Sequence, residues 1–231
     1  MTSKTQHQIG RIDQSPKSLC RFSINSLPNV LADRLSLIFF LLGSTFTGFA
    51  LADGDAAAQS IETNSPSYPG AYIEVIKSEQ LLRVRRGDVT YREYPIAHGR
   101  GDRGAKEILG DKKTPEGIYR IAGINDSDRF HLFIRLNYPN VKDAFYGLKN
   151  NIINRREFDN IIDALRRGQL PPQNTALGGA IGIHGVGVET AKKLKIHANM
   201  NWTEGCIALT NAEVRELRDI IRVGTEVVIK P

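Results

Sequence analysis

The chain has 231 residues, 41% of them hydrophobic, and a formal net charge of +6. That length can bury one substantial core, so a single folded domain is the default expectation. Residues 53–231 carry only +3 of the surplus and hold no basic-aromatic motif, which gives no ground for a nucleic-acid partner and leaves only a weak attraction to an anionic polymer.

Residues 1–34 are polar and basic, and residues 35–50 form an uncharged, largely apolar run ending in Ala50-Leu51-Ala52 before Asp53. This is the small-x-small pattern of a signal-peptidase site, so residues 1–52 are predicted to be a signal peptide. The alternative is a short uncleaved membrane anchor over 35–52, a run near the lower length limit for a span. Either outcome places the remainder outside the cytoplasm. Residues 53–70 are rich in Ala, Ser, Pro and Gly without periodicity and read as a linker, which leaves 71–231 as the domain.

From Ala71 the pattern changes to period two. Residues 72–76, 81–85 and 89–97 are predicted as a three-strand meander, with the alternating Arg83 and Arg85 on its wet face. Residues 98–113 are polar and glycine-rich and lead into Thr114-Pro115-Glu116-Gly117, which on physical grounds is a turn. Further strands are expected over 117–122 and 130–138, with His131 structural. Phe158, Ile161, Ile162 and Leu165 recur at helical spacing and predict a helix within 151–168, stopped by Gly168. Residues 186–201, with Lys192, Lys193 and Lys195, are expected to form an exposed loop. Thr210-Asn211-Ala212-Glu213 is a capping-box signature, and Val214, Leu217, Ile220 and Ile221 stripe the helix that follows. The fold class expected from these elements is mainly β with at least two helices, a mixed α+β domain.

The chemistry concentrates in Ile181-Gly182-Ile183-His184-Gly185 and in Trp202-Thr203-Glu204-Gly205-Cys206-Ile207-Ala208-Leu209-Thr210-Asn211. Cys20 would be lost with the signal, which leaves Cys206 as a lone thiol in an exported chain. It has no internal disulfide partner and is a liability unless it reacts. A cysteine nucleophile needs an imidazole or favourable dipoles, and His184 is the candidate base, with His98-Gly99 as its rival. The carbonyl of Gly185 can hold the base in one tautomer. The N–H groups of Gly205 and Cys206 are candidate oxyanion donors. An inert buried thiol is the bland alternative. A zinc site from His184, His197 and Cys206 is another, although no Cys-x-x-Cys or His-x-x-x-His pair supports it.

An apolar-His-Gly element, then Thr-x-Gly-Cys-Ile-x-Leu-x-Asn over 203–211, then Gly224-Thr225-Glu226-Val227-Val228-Ile229 resembles the L,D-transpeptidase (YkuD) catalytic domain, as does Gly110-Asp111-Lys112-Lys113-Thr114-Pro115-Glu116-Gly117. The resemblance implies a β-sandwich or barrel with flanking helices. It implies acyl transfer on peptidoglycan stem peptides through a Cys206 thioester, with His184 as base, Gly185 orienting it, and Gly205 and Cys206 at the oxyanion. The flanking Trp202, Thr203, Glu204 and Asn211 become candidate substrate-binding residues, and no cofactor or metal is expected. Partners would be stem peptides, with a wall-anchored protein as a further acyl acceptor, in the periplasm or cell wall. Hydrolysis or carboxypeptidase action at the same site, or a non-catalytic peptidoglycan-binding role, are the alternatives. Two positions depart from the family: Glu204 stands where His is common, and Ala208 where Arg is common.

Overall fold

The computed structural model describes residues 69–231. The predicted signal segment 1–52, its anchor alternative 35–52, Cys20 and all but the last two residues of the 53–70 linker lie outside the described residues. Those described form eight strands and four helices, and none of their helices is long and apolar enough to cross a membrane.

The predicted meander is β1 (Tyr72–Ile76), β2 (Leu81–Arg86) and β3 (Val89–Pro95). Leu82 and Val84 of β2 face the core, while Arg83 and Arg85 face outward onto carboxylates. Arg83 meets Glu79 and Glu93, and Arg85 meets Glu74 at 2.9 Å. Glu74 is itself buried, and its bond to Lys230 (2.6 Å) holds its carboxyl below the usual range.

The sheet continues through β4 (Gly117–Ser127), β5 (His131–Leu136), β6 (Gly182–Gly185), β7 (Ile207–Leu209) and β8 (Glu226–Lys230). Its order is β3-β2-β1-β8-β4-β5-β6-β7. Only β1–β8 and β6–β7 pair in parallel. The last strand thus lies mid-sheet, and β7 lies at the opposite edge from β3.

The run that follows β3 reaches the β7 edge. Past β3 the chain runs beside β7, where Ala97 and Ala208 exchange backbone hydrogen bonds of 3.1 and 2.7 Å. The Thr203 N–H donates to His98 O (3.1 Å), and the Arg100 N–H donates to Thr203 O (2.9 Å). These bridges cover the free edge of β7 with the run that follows β3, so that edge does not present open donors for another strand. It also clamps the 203–208 stretch between residues 97–100 and β6.

One apolar cluster, including Ile73, Leu82, Tyr119, Ile134, Ile183, Ile207, Val214 and Val227, fills the sheet's interior. A second, smaller one of Ala144, Ile153, Ile161 and Leu177 lies among the helices. The helix expected within 151–168 is α2 (Arg155–Arg166). It starts only at the Asn154 cap, because Asn151 takes a positive φ of 57°. Two helices were not foreseen. α1 (Val141–Lys149) begins with an Asn140/Asp143 capping box, and its apolar residues make no clean stripe. α3 (Ala191–Asn199) occupies the expected loop: Thr190 caps it, and of its side chains only that of His197 is buried. α4 (Asn211–Ile220) follows the predicted capping box and buries Val214 and Leu217.

Asp143 ties α1 to the sheet. Tyr119 Oη donates to its carboxylate (2.9 and 3.2 Å), as does the Asn140 N–H (2.9 Å), while burial pushes the carboxyl up to about 6. A folded-state value above the unfolded one means the protonated form is favoured on folding. Its stabilising share is full below about pH 4 and is lost as pH rises through about 6. Denaturant unfolding of wild type and Asp143→Asn should therefore show wild type losing on the order of 1–3 kcal/mol relative to the variant between pH 4 and pH 7. Parallel pH profiles would remove Asp143 as the source.

Candidate active site

The parallel register pairs Ile183 with Ile207 and His184 with Ala208, so Cys206, one residue before β7, stands beside Gly182. Paired residues share a sheet face and side chains alternate along a strand, which puts His184, Ala208 and Cys206 on one face. From β5, Phe133 pairs with His184 and Arg135 with Gly182, adding two more side chains to that face. His184, Cys206, Phe133 and Arg135 all line one cleft of about 840 Å³.

His184 is 2% exposed. Its Nδ1 lies 2.8 Å from Gly185 O. A carbonyl can only accept, so Nδ1 carries the proton and Nε2 keeps its lone pair. Three aromatic rings hold the imidazole: Phe130 at 4.2 Å between centroids, Phe133 stacked at 6.2 Å and Trp202 edge-on at 5.9 Å. Burial among them pushes His184 down to about 4, only partly opposed by the Gly185 bond. Glycine is needed at 185, since a Cβ there would stand 2.5 Å from Asn211 Oδ1 and 2.8 Å from Phe130 O.

Cys206 keeps part of its surface open to the cleft, yet the protein packed round its sulfur pushes the thiol up to about 11, against the pull of the Gly182 backbone and of Lys106, Arg129 and Arg135. Its Sγ donates to Ala180 O at 3.4 Å. Ala180 holds a positive φ of 54°, and its N–H donates to Gln173 Oε1 (2.7 Å). At rest the pair is therefore a neutral thiol and a neutral imidazole.

The turn that carries Cys206 is braced from two sides. Thr203 Oγ1 donates to Cys206 O (2.6 Å) and accepts from the Gly205 N–H (3.2 Å). Gly205 has a φ of 128°, and a Cβ on it would lie 2.7 Å from Lys113 O. The Gly110–Gly117 stretch, a turn on physical grounds and part of the resemblance in sequence, thus backs Gly205 beside the cysteine and supplies Gly110 to the cleft. Glu204 turns its carboxylate to the Arg100 guanidinium, so the charge beside the thiol is paired.

Of the predicted substrate residues, Trp202, Thr203 and Glu204 line the cleft; Asn211 does not. Its amide is used on Gly187, donating to that carbonyl (2.7 Å) and accepting from that N–H (3.1 Å). It pins the turn after Gly185 rather than lining the cleft, because as the first residue of α4, just past the Thr210 cap, it faces that turn. His98 also lies outside the cleft, with Nδ1 3.1 Å from Gly99 O. His197 takes the Trp202 indole N–H on Nδ1 (3.4 Å), and among the described residues no three or more His, Cys, Asp or Glu side chains are grouped to hold a metal ion. Sequence reasoning missed Arg129, Phe130, Phe133 and Arg135. The alternation of Phe133 and Arg135 along a strand was visible, but nothing local says that this face turns toward His184.

The sequence matches the family model of the L,D-transpeptidase catalytic domain (YkuD) over residues 70–229. No curated protein matches it significantly. Among solved structures, it is similar to an L,D-transpeptidase fragment from Xylanimonas cellulosilytica (15% identity, TM-score 0.42, 69% of this chain and 60% of that one). It is also similar to the helical cell shape determining protein Pgp2 from Campylobacter jejuni (22%, 0.47, 70% and 48%) and to an L,D-transpeptidase from Mycobacterium smegmatis (11%, 0.41, 70% and 59%). The chain spans about half to three-fifths of the length of these structures.

A thiol near 11 beside an imidazole near 4 has a distinct reactivity signature. Alkylation of Cys206 by a small neutral reagent should rise about tenfold per pH unit from pH 7 to pH 10. A rate already level near pH 7 would mean a preformed thiolate–imidazolium pair and would contradict the neutral resting state.

Proposed function

The chain belongs to the L,D-transpeptidase (YkuD) catalytic-domain family, and from that premise we propose that it modifies peptidoglycan stem peptides by acyl transfer through a Cys206 thioester. The observation that carries this reading is the His184 tautomer: Nδ1 is committed to Gly185 O, so the nitrogen left with a lone pair belongs to a ring sharing its cleft with the chain's only described cysteine.

In this mechanism Cys206 Sγ leaves Ala180 O and gives its proton to His184 Nε2 while the sulfur attacks the carbonyl carbon after the third, L-configured centre of a stem tetrapeptide. Burial pushes His184 down and Cys206 up, so both favour their neutral forms, and in this reading proton transfer accompanies C–S bond formation. The oxyanion takes the Cys206 N–H, and the Gly205 N–H if it turns from Thr203 Oγ1. Collapse expels D-alanine, whose amine takes the proton from His184. The amine of a second stem, or of a wall-anchored protein, then attacks the thioester and gives its proton to His184, and as the C–S bond breaks that proton returns to Cys206 Sγ. Water in place of the amine would make the same site a peptide hydrolase or carboxypeptidase. No cofactor enters any step. Such substrates require export, to the periplasm or cell wall, consistent with a cleaved signal at 1–52, or an anchor at 35–52, ahead of a linker to residue 70 and a catalytic domain over 71–231.

A carbapenem tests nucleophile and reaction class together, because opening its strained ring on the thiol leaves a thioester with no leaving amine to carry away. Intact-protein mass spectrometry should show one added drug mass. Cys206→Ala should abolish it, and His184→Ala should slow it by about 100-fold or more. An adduct that persists in Cys206→Ala overturns the assignment. Binding of muropeptides with no product under any condition would instead leave a non-catalytic wall-binding module.

A further inference from the structure

The cleft carries two guanidinium groups without anionic partners. Lys106 bonds Asp111 at 2.8 Å, both side chains well buried, and Arg100 pairs with Glu204, while Lys193, which does not line the cleft, lies over the Trp202 ring at 5.9 Å. Arg135 and Arg129 pair with no carboxylate among the described residues. Each lies instead over an aromatic ring, Arg135 at 5.4 Å from the Phe133 centroid and Arg129 at 4.8 Å from that of Phe130. Arg129 is exposed, but Arg135 is half-buried. A half-buried cation gives up hydration and is held in one place by its stacking partner, which suits it to bind an anion from outside.

The sheet register fixes where that anion would sit. Arg135 pairs with Gly182, and Gly182 neighbours Cys206 one step before the Ile183–Ile207 pair. These three residues form a row across β5, β6 and the start of β7, with their side-chain positions on one face. Two strand spacings separate the outer two, about 9–10 Å between Cα atoms. The middle position is empty of side chain for a reason: a Cβ on Gly182 would lie 2.7 Å from Phe133 Cζ. The Phe133 ring therefore lies across Gly182, and it is this ring that holds the Arg135 guanidinium. The position two residues after Cys206 supplies no charge, because it is Ala208, a buried methyl group.

We propose that Arg135 is the carboxylate-binding residue of this cleft, taking the C-terminal carboxylate of the residue that is released when the peptide is cleaved, with Arg129 adding a second positive charge. This rests on the Cys206 acyl-transfer reading. An extended peptide advances about 3.5 Å per residue, so a carboxylate one residue past the carbonyl at Cys206 falls between the sulfur and Arg135. A planar guanidinium can hold it bidentately. The cleft thereby selects peptides ending one residue after the cleaved bond over longer ones and over amides.

Binding separates this proposal from turnover. The full chain carrying Cys206→Ala is titrated calorimetrically with a stem tetrapeptide ending in D-alanine and with the same peptide ending in D-alaninamide. The acid should bind at least about tenfold more tightly, the scale of one charge-assisted hydrogen bond, and the preference should weaken with salt. Adding Arg135→Gln should bring the ratio near one, Arg135→Lys should restore part of it, and Arg129→Gln should reduce it less. Equal binding of acid and amide without the arginine changes, no binding of the acid, or a preference surviving in the Arg129→Gln/Arg135→Gln pair would each overturn the proposal. Wild-type turnover is read separately: a clear acid preference with no Cys206-dependent product sinks the acyl-transfer reading and leaves the carboxylate site in place.

Discussion

The site depends on the parallel pairing of β6 with β7. That register alone brings His184 and Cys206, far apart in sequence, onto one face of two adjacent strands. Side-chain alternation has period two, so a slip of one residue would turn the cysteine to the opposite face. The bridges on the far side of β7 guard against such a slip. Residues 97–100 pair with 203 and 208 on the far side, Thr203 braces the turn from within, and the α4 cap follows directly.

Close approach is the second condition. A side chain at Gly182 would displace Phe133, one at Gly185 would meet Asn211 and Phe130, and one at Gly205 would strike the Lys113 carbonyl. These three glycines let the Phe133 ring, the turn after His184 and the 110–117 segment lie against the backbone itself. The imidazole is thereby enclosed by rings, which cost it its charge, and fixed by a carbonyl, which opposes that loss only in part.

The electrostatics follow from that enclosure. Low local polarity keeps thiol and imidazole neutral at rest, and the same low polarity strengthens any hydrogen bond or charge that a bound peptide brings. Glu204, a carboxylate in the turn of the thiol, is drawn to Arg100, so it adds little to the cost of forming a thiolate. The cleft's positive charge without a carboxylate partner lies on Arg135 and Arg129.

Much was legible in the sequence because it rests on local pattern. Period-two segments at 72–97, the helical stripe at 158–165 and the capping box at 210–213 gave the elements, and a lone cysteine next to glycine with a distant His-Gly pair gave the candidate site. α1 and α3 were not legible, since neither carries a clean apolar stripe: α1 starts at an asparagine cap and packs on α2, and α3 starts at a threonine cap and buries only His197. Only the tertiary structure decided that the 110–117 turn backs Cys206, that Asn211 serves Gly187, and that Phe133 and Arg135 join the cleft. Each of these depends on strand order and register across the sheet, set by contacts between residues far apart in the chain, and no local window of sequence contains them.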